Sequence, residues 1–287
     1  MLDILQRNLM TTTASLANNP QFQEKIRSFL RLSFLKQKYI MKITDADGMA
    51  MYEQAFTHSS VSPNNYEWLE ILGDATLNKC VVWYINNRFP QLHNAEGVKV
   101  IARLKIKLVS KNNFSEIAEQ FGFLPFIQIN EENMKQKLNL KSVLEDVLEA
   151  FFGTTEMLID RHYGQGSGYG ICYELLKNIM DRRQISLKYE DLYDPITRLK
   201  ETFDIFRSSS LWGQVRYENI KEESTQYVTV YQFDPVSGRK VSLGYASAPT
   251  LDEAKQKAAT IAIERLASHG FRRPVPEYYT RLESMMV

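Results

Sequence analysis

The stretch that decides the fold of the N-terminal part runs Tyr66-Glu67-Trp68-Leu69-Glu70-Ile71-Leu72-Gly73-Asp74-Ala75. As a helix it places Glu67, Glu70 and Asp74 at i, i+3 and i+7, so the three acids share one face. Apolar residues take almost every other direction, which predicts a helix that is buried nearly all round. Carboxylates on a buried helix are costly unless something offsets their lost hydration, and a divalent cation is the usual compensation.

A second acidic segment, residues 142–152, repeats this pattern with Asp146 and Glu149 on the margin of a broad apolar arc and Glu145 nearby. If the two helices face each other, four carboxylates converge, those of Glu70, Asp74, Asp146 and Glu149. Their mutual repulsion would keep some of them protonated without a cation. Oxygen-only ligands favour hard metals such as Mg²⁺ or Mn²⁺ over zinc. Taken singly, each acidic pair also fits solvated surface charges that pair with Lys or Arg.

Bulk composition is that of a soluble protein with two domains. The chain has 287 residues, of which 44% are hydrophobic and 24% charged, and the apolar runs are too short to predict a membrane span. The net charge of +1 gives no overall basic signature, so any affinity for nucleic acid must come from local patches.

The two cysteines and the N-terminus bear on the compartment. Cys80 and Cys172 lie far apart in apolar context, which favours core thiols over a disulfide or a metal clip. The first residues do not read as a secretory signal, because polar side chains interrupt the apolar positions. We therefore expect a cytoplasmic location, while nuclear, mitochondrial and virus-encoded alternatives stay open.

The C-terminal part changes from helical to mixed patterning at Asp194-Pro195, an N-cap followed by a first-turn proline. A short amphipathic helix, three strand-like runs (214–220, 226–233 and 240–246) and a final helix follow. The final helix opens on the capping box that begins at Thr250, and it carries Ala254, Ala258, Ile261 and Ala262 on one face.

We divide the chain into five segments. They are an N-terminal extension (1–21), an all-α domain (22–183), a linker (184–193), a small α+β domain of order α-β-β-β-α (194–270) and a C-terminal tail (271–287) that we expect to trail off.

The two acidic segments resemble the ribonuclease III family. Residues 67–74 look like the signature helix of that family, 55–59 resemble the segment before it, and 142–150 resemble its second acidic helix. The C-terminal pattern is similar to a double-stranded-RNA-binding domain, so the resemblance covers roughly residues 22–270. It implies a metal-dependent endonuclease that cuts double-stranded RNA as a homodimer, leaving 5′-phosphates, 3′-hydroxyls and short 3′ overhangs.

The resemblance also implies roles for individual residues. The metal ligands would be Glu70, Asp74, Asp146 and Glu149, holding Mg²⁺ or in its place Mn²⁺, and Glu67 would lie beside them as a fifth catalytic residue. RNA would meet Thr197, Lys200 and Glu201 on the first C-terminal helix, Arg239 and Lys240 in a turn, and Lys255 and Lys257 on the last helix.

Three departures from the family pattern stand out. Trp68 replaces the usual arginine, and Ile71 replaces the phenylalanine at a position associated with the dimer contact. The last helix begins Leu251-Asp252-Glu253 where the family places basic residues, and residues 194–270 carry ten Lys/Arg against ten Asp/Glu, a net charge of zero. This domain could therefore serve mainly to hold the dimer or a protein partner.

Two alternatives to the nuclease are a structural, ribosome-associated RNA-binding protein and a protein that sequesters double-stranded RNA. The first would be expected to lose the acidic ligands, and this chain keeps all four. His58 could act as a base, but a metal mechanism needs none, so a structural histidine is the preferred interpretation.

Overall fold

The computed structural model describes residues 15–130, 140–206 and 212–285. They divide into two compact units, Met1–Ile185 and Ser186–Val287. The first is helical, and the second combines helices with one antiparallel sheet. The predicted fold class, an all-α domain followed by an α+β domain, is confirmed.

The helices of the N-terminal unit vary from seven to 24 residues. Within the described residues they are α1 (Pro20–Leu30), α2 (Gln37–Ile43), α3 (Ala46–Ala55), α4 (Glu67–Arg88), α5 (Gly97–Leu108), α6 (Lys111–Gln120), α7 (Leu140–Tyr163) and α8 (Ser167–Met180). Short 3₁₀ turns lie at Leu16–Asn18, Arg31–Ser33, Pro90–Leu92 and Leu124–Phe126. The break between α7 and α8 is three residues long and contains Gly164 and Gly166.

Helices α4 and α7 touch backbone to backbone through two glycines. A Cβ on Gly73 would lie 1.7 Å from the carbonyl oxygen of Glu149, and one on Gly153 would lie 2.1 Å from that of Leu69. Neither position can hold a larger residue without moving a helix, because these neighbours are backbone atoms. The contact brings together the two helices that carry the acidic segments.

Aromatic rings fill the core on the other side of α7. The ring of Phe151 lies 4.9 Å from that of Phe29 and 5.3 Å from that of Tyr52, measured between centroids. The hydroxyl groups of Tyr52 and Thr155 hydrogen-bond at 3.0 Å, so the buried phenol has a polar partner. Both cysteines are buried and free, as the sequence predicted.

The prediction that α4 is buried nearly all round is wrong. Its Leu69 and Leu77 are buried, but Trp68 is 62% exposed and Ile71 is 63% exposed. Val82 and Trp83 continue the exposed side at 43% and 49%. Within one chain, α7 covers only one side of α4, and the second apolar side faces outward.

The C-terminal unit contains α9 (Tyr189–Leu192), α10 (Pro195–Phe206), β1 (Gln214–Glu222), β2 (Thr225–Phe233), β3 (Lys240–Ala248), α11 (Leu251–Ser268) and α12 (Glu277–Met285). The sheet order is β1-β2-β3 with antiparallel pairs throughout. The fully buried Ala254, Ala258 and Ala262 let α11 lie close to the sheet, whereas Ile261 is 42% exposed.

Two expectations about the ends of this unit are wrong. The linker contains the short helix α9 and the fully buried Leu187, and the tail contains α12. On α12, Tyr279 is 5% exposed and Leu282 is 1% exposed. These apolar side chains are too sparse to give a periodic signal, yet they are covered within the unit. None of the helices in the described part of the chain is long and apolar enough to cross a membrane.

Candidate metal centre

Three of the predicted ligands meet between α4 and α7. Glu70, Asp146 and Glu149 each offer a carboxylate oxygen, and these oxygens all lie within 4.8 Å of one another. The glycine contact between the helices sets this spacing, because Gly73 lies one turn after Glu70 and against the backbone of Glu149. The side chains therefore form a cluster of oxygen donors suited to a hard cation.

Burial and mutual repulsion hold protons on this cluster. Glu149 is 7% exposed, and burial, followed by the charges of Asp74 and Glu145, raises its pKa to about 9. Burial and the charge of Asp146 raise the pKa of Glu70 to about 7. The pKa values of Asp146 and Glu145 are also raised, mainly by burial. A bound cation would remove the penalty of ionising these groups together.

Asp74, the fourth predicted ligand, does not join the other three. Its side chain is exposed, and its Oδ1 accepts a hydrogen bond of 2.6 Å from Nδ2 of Asn78 on the next turn of α4. Its charge still contributes to the raised pKa of Glu149. Glu67 is exposed at the start of α4, where its charge raises the pKa of Glu70.

Tyr66, which the sequence analysis did not single out, contacts the cluster directly. It is 4% exposed, and its hydroxyl group donates a hydrogen bond of 3.1 Å to Oδ2 of Asp146. A signal for it exists in the sequence, since Tyr66 stands four residues before Glu70 and thus falls on the same helical face. This spacing does not say that the hydroxyl group reaches Asp146, which lies on another helix.

His58 has contacts that fit a structural role. Its Nδ1 accepts a hydrogen bond of 3.0 Å from the backbone N–H of Ser60 and lies 2.8 Å from the hydroxyl group of the same residue. Burial lowers its pKa, although the charges of Asp146 and Glu67 act in the opposite direction. The imidazole thus holds a turn of the loop before α4.

Lys111 is a second residue near the cluster that spacing did not reveal. Its Nζ lies 3.8 Å from a carboxylate oxygen of Glu145, and its charge lowers the pKa of both Glu145 and Asp146. It is the first residue of α6, 35 positions before Asp146 along the chain. A partner that distant in sequence cannot be read from helical periodicity.

The predicted RNA-binding residues lie on three elements of the C-terminal unit. On α10, Lys200 is exposed, while the hydroxyl group of Thr197 donates to Asp194 at 2.6 Å. Glu201, on the same helix, accepts a hydrogen bond from the hydroxyl group of Tyr189 and pairs with Arg273 at 2.9 Å. Two of the three predicted RNA contacts on α10 therefore already have partners within the protein: Thr197 bonds Asp194, and Glu201 pairs with Arg273.

The remaining predicted RNA contacts lie at the β2–β3 turn and on α11. Arg239 and Lys240 are exposed, and Lys240 pairs with Glu218 on β1. Lys255 is half-buried and Lys257 is exposed. Both lysines lie on α11, which has Asp252 and Glu253 in its first turn. The N-terminus of this helix therefore presents negative rather than positive side chains.

The chain is similar to known proteins of one family. Residues 49–157 match the Ribonuclease-III-like family model. A protein of Invertebrate iridescent virus 6 that is assigned as a ribonuclease 3 is 36% identical over 272 residues, spanning 90% of this chain and 91% of that protein. A protein of Frog virus 3 with the same assignment is 35% identical over 83% of this chain, which spans 61% of that relative.

Among solved structures, the nuclease domain of ribonuclease III from Campylobacter jejuni is similar over 56% of this chain and 99% of that chain, with 26% identity and a TM-score of 0.41. The long match to the first viral relative decides the assignment. The chain belongs to the ribonuclease III family and is a ribonuclease, an endonuclease that hydrolyses RNA.

Proposed function

We propose that this protein is a metal-dependent endoribonuclease that cleaves double-stranded RNA, leaving 5′-phosphates, 3′-hydroxyls and short 3′ overhangs. The observation that carries the proposal is the meeting of Glu70, Asp146 and Glu149 within 4.8 Å across two helices. Acids so placed raise each other's pKa values and weaken the fold, so their presence needs a chemical reason.

The donor set fits a hard divalent cation. Every donor atom is a carboxylate oxygen, which suits Mg²⁺ or Mn²⁺. Glu70, Asp146 and Glu149 would hold the ion, and Asp74 would join them by exchanging its bond to Asn78 for the ion. When bound, such an ion would activate a water molecule and offset the charge that develops on the scissile phosphate. Glu149 would release its proton on binding, so metal affinity would rise with pH.

We also propose that the active form is a homodimer formed through the exposed side of α4. Trp68, Ile71, Val82 and Trp83 lie on this side, and each is at least 43% exposed. Their helical positions fall on one side of α4, with the exposed Ala75 and Lys79 between the two pairs. A largely apolar exposed side on a nuclease that must span a duplex is best covered by a second copy of the same surface.

The C-terminal unit would contribute RNA contacts of limited strength. Phosphate contacts dominate affinity for duplexes, and residues 194–270 have no net charge. Asp252 and Glu253 would repel a phosphate from the N-terminus of α11. Most of the affinity for the duplex would then come from the dimeric nuclease domain, with Lys200, Arg239 and Lys257 adding contacts from the second unit.

The decisive experiment compares cleavage of a long RNA duplex by wild type and by two variants in Mg²⁺. Glu149→Gln removes one acid of the cluster, and we expect at least a 100-fold loss of cleavage with binding of the duplex retained, as for loss of an essential charged group. Glu156→Gln makes the same change seven residues later on α7, where the side chain hydrogen-bonds Thr76, and should keep near-wild-type activity.

Sequencing the ends of the fragments checks the proposed products. Wild-type cleavage that Glu149→Gln leaves intact would refute the site. Binding and protection of the duplex without any fragments would instead favour a sequestering protein. The Glu156→Gln control separates a specific loss from a general effect of removing charge from α7.

A further inference from the structure

Tyr66 makes a direct polar contact with the acidic cluster, which consists of Glu70, Asp146 and Glu149. The residue is 4% exposed, and its hydroxyl group lies 3.1 Å from Oδ2 of Asp146. A phenol hydroxyl group can donate a hydrogen bond to a carboxylate oxygen, so Tyr66 is the donor in this bond. The bond joins the start of α4 to the second acidic helix, α7.

The loop before α4 fixes Tyr66 from the backbone side. The backbone N–H of Tyr66 donates to the carbonyl oxygen of Thr57 at 3.0 Å, which closes the loop between them. The side chain of Gln54 donates to the carbonyl oxygen of Asn65 at 3.0 Å, and the ring of His58 lies edge-on to that of Tyr66 at 5.7 Å. The hydroxyl group is therefore held in place rather than free to sample other partners.

Asp146 can accept this hydrogen bond without losing its capacity to bind a cation. A carboxylate has about four lone-pair sites, so it can accept the Tyr66 bond and still offer an oxygen to a cation. Without a donor, an aspartate beside Glu70 and Glu149 would be free to rotate away from their charges. Carboxylates that bind metals are commonly oriented by such hydrogen bonds, and loss of the partner weakens metal affinity or activity about 10- to 100-fold.

We propose that Tyr66 is a positioning residue that orients the carboxylate of Asp146 for a divalent cation. The proposal rests on the proposed function, since it requires that the cluster bind a metal. Tyr66 touches neither the substrate nor the reacting atoms, and it acts only through Asp146. Its removal should therefore affect metal affinity more than the rate at saturating metal.

The chain supplies a matched control in Tyr84, on the helix that begins directly after Tyr66. The hydroxyl group of Tyr84 donates to Oδ1 of Asp181 at 3.1 Å, and Tyr84 is 2% exposed. The donor, the kind of acceptor, the distance and the burial thus match those of Tyr66, but Asp181 lies outside the acidic cluster. Tyr84→Phe measures what losing a buried tyrosine–carboxylate bond does to the fold alone.

The experiment titrates the full-length protein with Mn²⁺ by calorimetry and measures cleavage of duplex RNA as a function of Mg²⁺ concentration. We expect Tyr66→Phe to bind Mn²⁺ about 10- to 100-fold more weakly than wild type and to recover most of its cleavage rate at high Mg²⁺. Tyr84→Phe should match wild type in both measurements, and Asp146→Asn should lose both binding and cleavage.

The outcomes separate the two levels of the argument. Equal Mn²⁺ affinity in Tyr66→Phe and Tyr84→Phe, with Asp146→Asn impaired, would overturn the role of Tyr66 and leave the metal centre standing. Wild type that binds no Mn²⁺ would overturn the metal centre and the role of Tyr66 with it. Circular dichroism and thermal melting of the metal-free variants show whether each one folds. A Tyr66→Phe variant that fails to fold would overturn the positioning role and assign the hydroxyl group to stability instead.

Discussion

At the scale of single residues, ionising the buried Glu149 destabilises the fold. It is almost fully buried beside other acids, and its pKa is raised from 4.5 to about 9 in the folded, metal-free protein. A raised folded pKa means that the fold favours the protonated acid. The stabilising contribution is fully present below about pH 4.5 and is lost as the pH rises through the folded pKa.

We therefore expect the free energy of unfolding of the metal-free protein to fall between about pH 5 and pH 9. Glu70, whose pKa is raised to about 7, adds to the loss of stability in the lower half of this pH range. Glu149→Gln has no charge to ionise, so its stability should fall less over the same range. Thermal melts in a chelator across this range measure the effect, with Glu156→Gln as the control, and parallel curves for wild type and Glu149→Gln would contradict it.

Individual acids could be predicted from sequence, but their side-chain partners could not. Helical spacing placed Glu70 on an acidic face of its helix and Asp146 and Glu149 on the margin of an apolar arc. The structure brings these three together. Asp74 fits the same spacing, yet its carboxylate hydrogen-bonds Asn78. Spacing fixes the direction of a Cβ, whereas the rotamer depends on nearby donors that periodicity does not report.

At the scale of elements, the contact between α4 and α7 decides the geometry of the site. The carbonyl oxygen of Leu69 would lie 2.1 Å from a Cβ on Gly153, a distance that side chains essentially never show. The helices can approach this closely only because both contact positions are glycine. Any side chain there would push the acidic pairs apart as well as strain the core.

Gly153→Ala should lower the free energy of unfolding by about 1–3 kcal/mol, the usual cost of overpacking, and should also reduce cleavage. Gly170→Ala on α8 is the control, because a Cβ there meets nothing within 4 Å. Removing a helical glycine at such an open position should stabilise the protein by about 0.5–1 kcal/mol. Urea denaturation of both variants gives the comparison, and similar changes for the two would mean that the helices can separate without cost.

Elements were predicted more reliably where local signals are strong. The cap at Thr250 was predicted from its spacing to Glu253, and its hydroxyl group accepts the backbone N–H of Glu253 at 3.3 Å. The side of α4 that faces outward was not predicted, because an apolar stripe gives the same pattern whether its partner is the same chain or another. Sequence periodicity reports that a surface is apolar and does not report what covers it.

At the scale of the whole molecule, the exposed stripe on α4 determines the proposed oligomeric state. Ile71→Glu would place a charge in the middle of an apolar interface, and we expect it to shift the protein toward monomers by 10-fold or more in dimer affinity. Sedimentation velocity measures the shift directly. Ile106→Glu on α5 replaces an isoleucine that is similarly exposed, at 60% against 63%, and should leave the sedimentation of the protein unchanged.

A wild-type protein that sediments as a monomer at micromolar concentration would contradict the dimer. So would an Ile71→Glu variant that stays dimeric. Cleavage of the duplex by the two variants shows whether a single subunit is sufficient for the chemistry.

The contacts among Tyr189, Arg273 and Tyr279 determine which residues an isolated second unit must include. Tyr189 and Tyr279 pack ring to ring at 5.5 Å, and Arg273 lies over the ring of Tyr189. A fragment trimmed to the domain bounds predicted from the sequence, residues 194–270, would lack both Tyr189 and Tyr279. It would also lack Tyr189 and Arg273 as partners of Glu201. An isolated second unit should therefore begin upstream of Leu187 and continue beyond Leu282, because both side chains are buried in the fold.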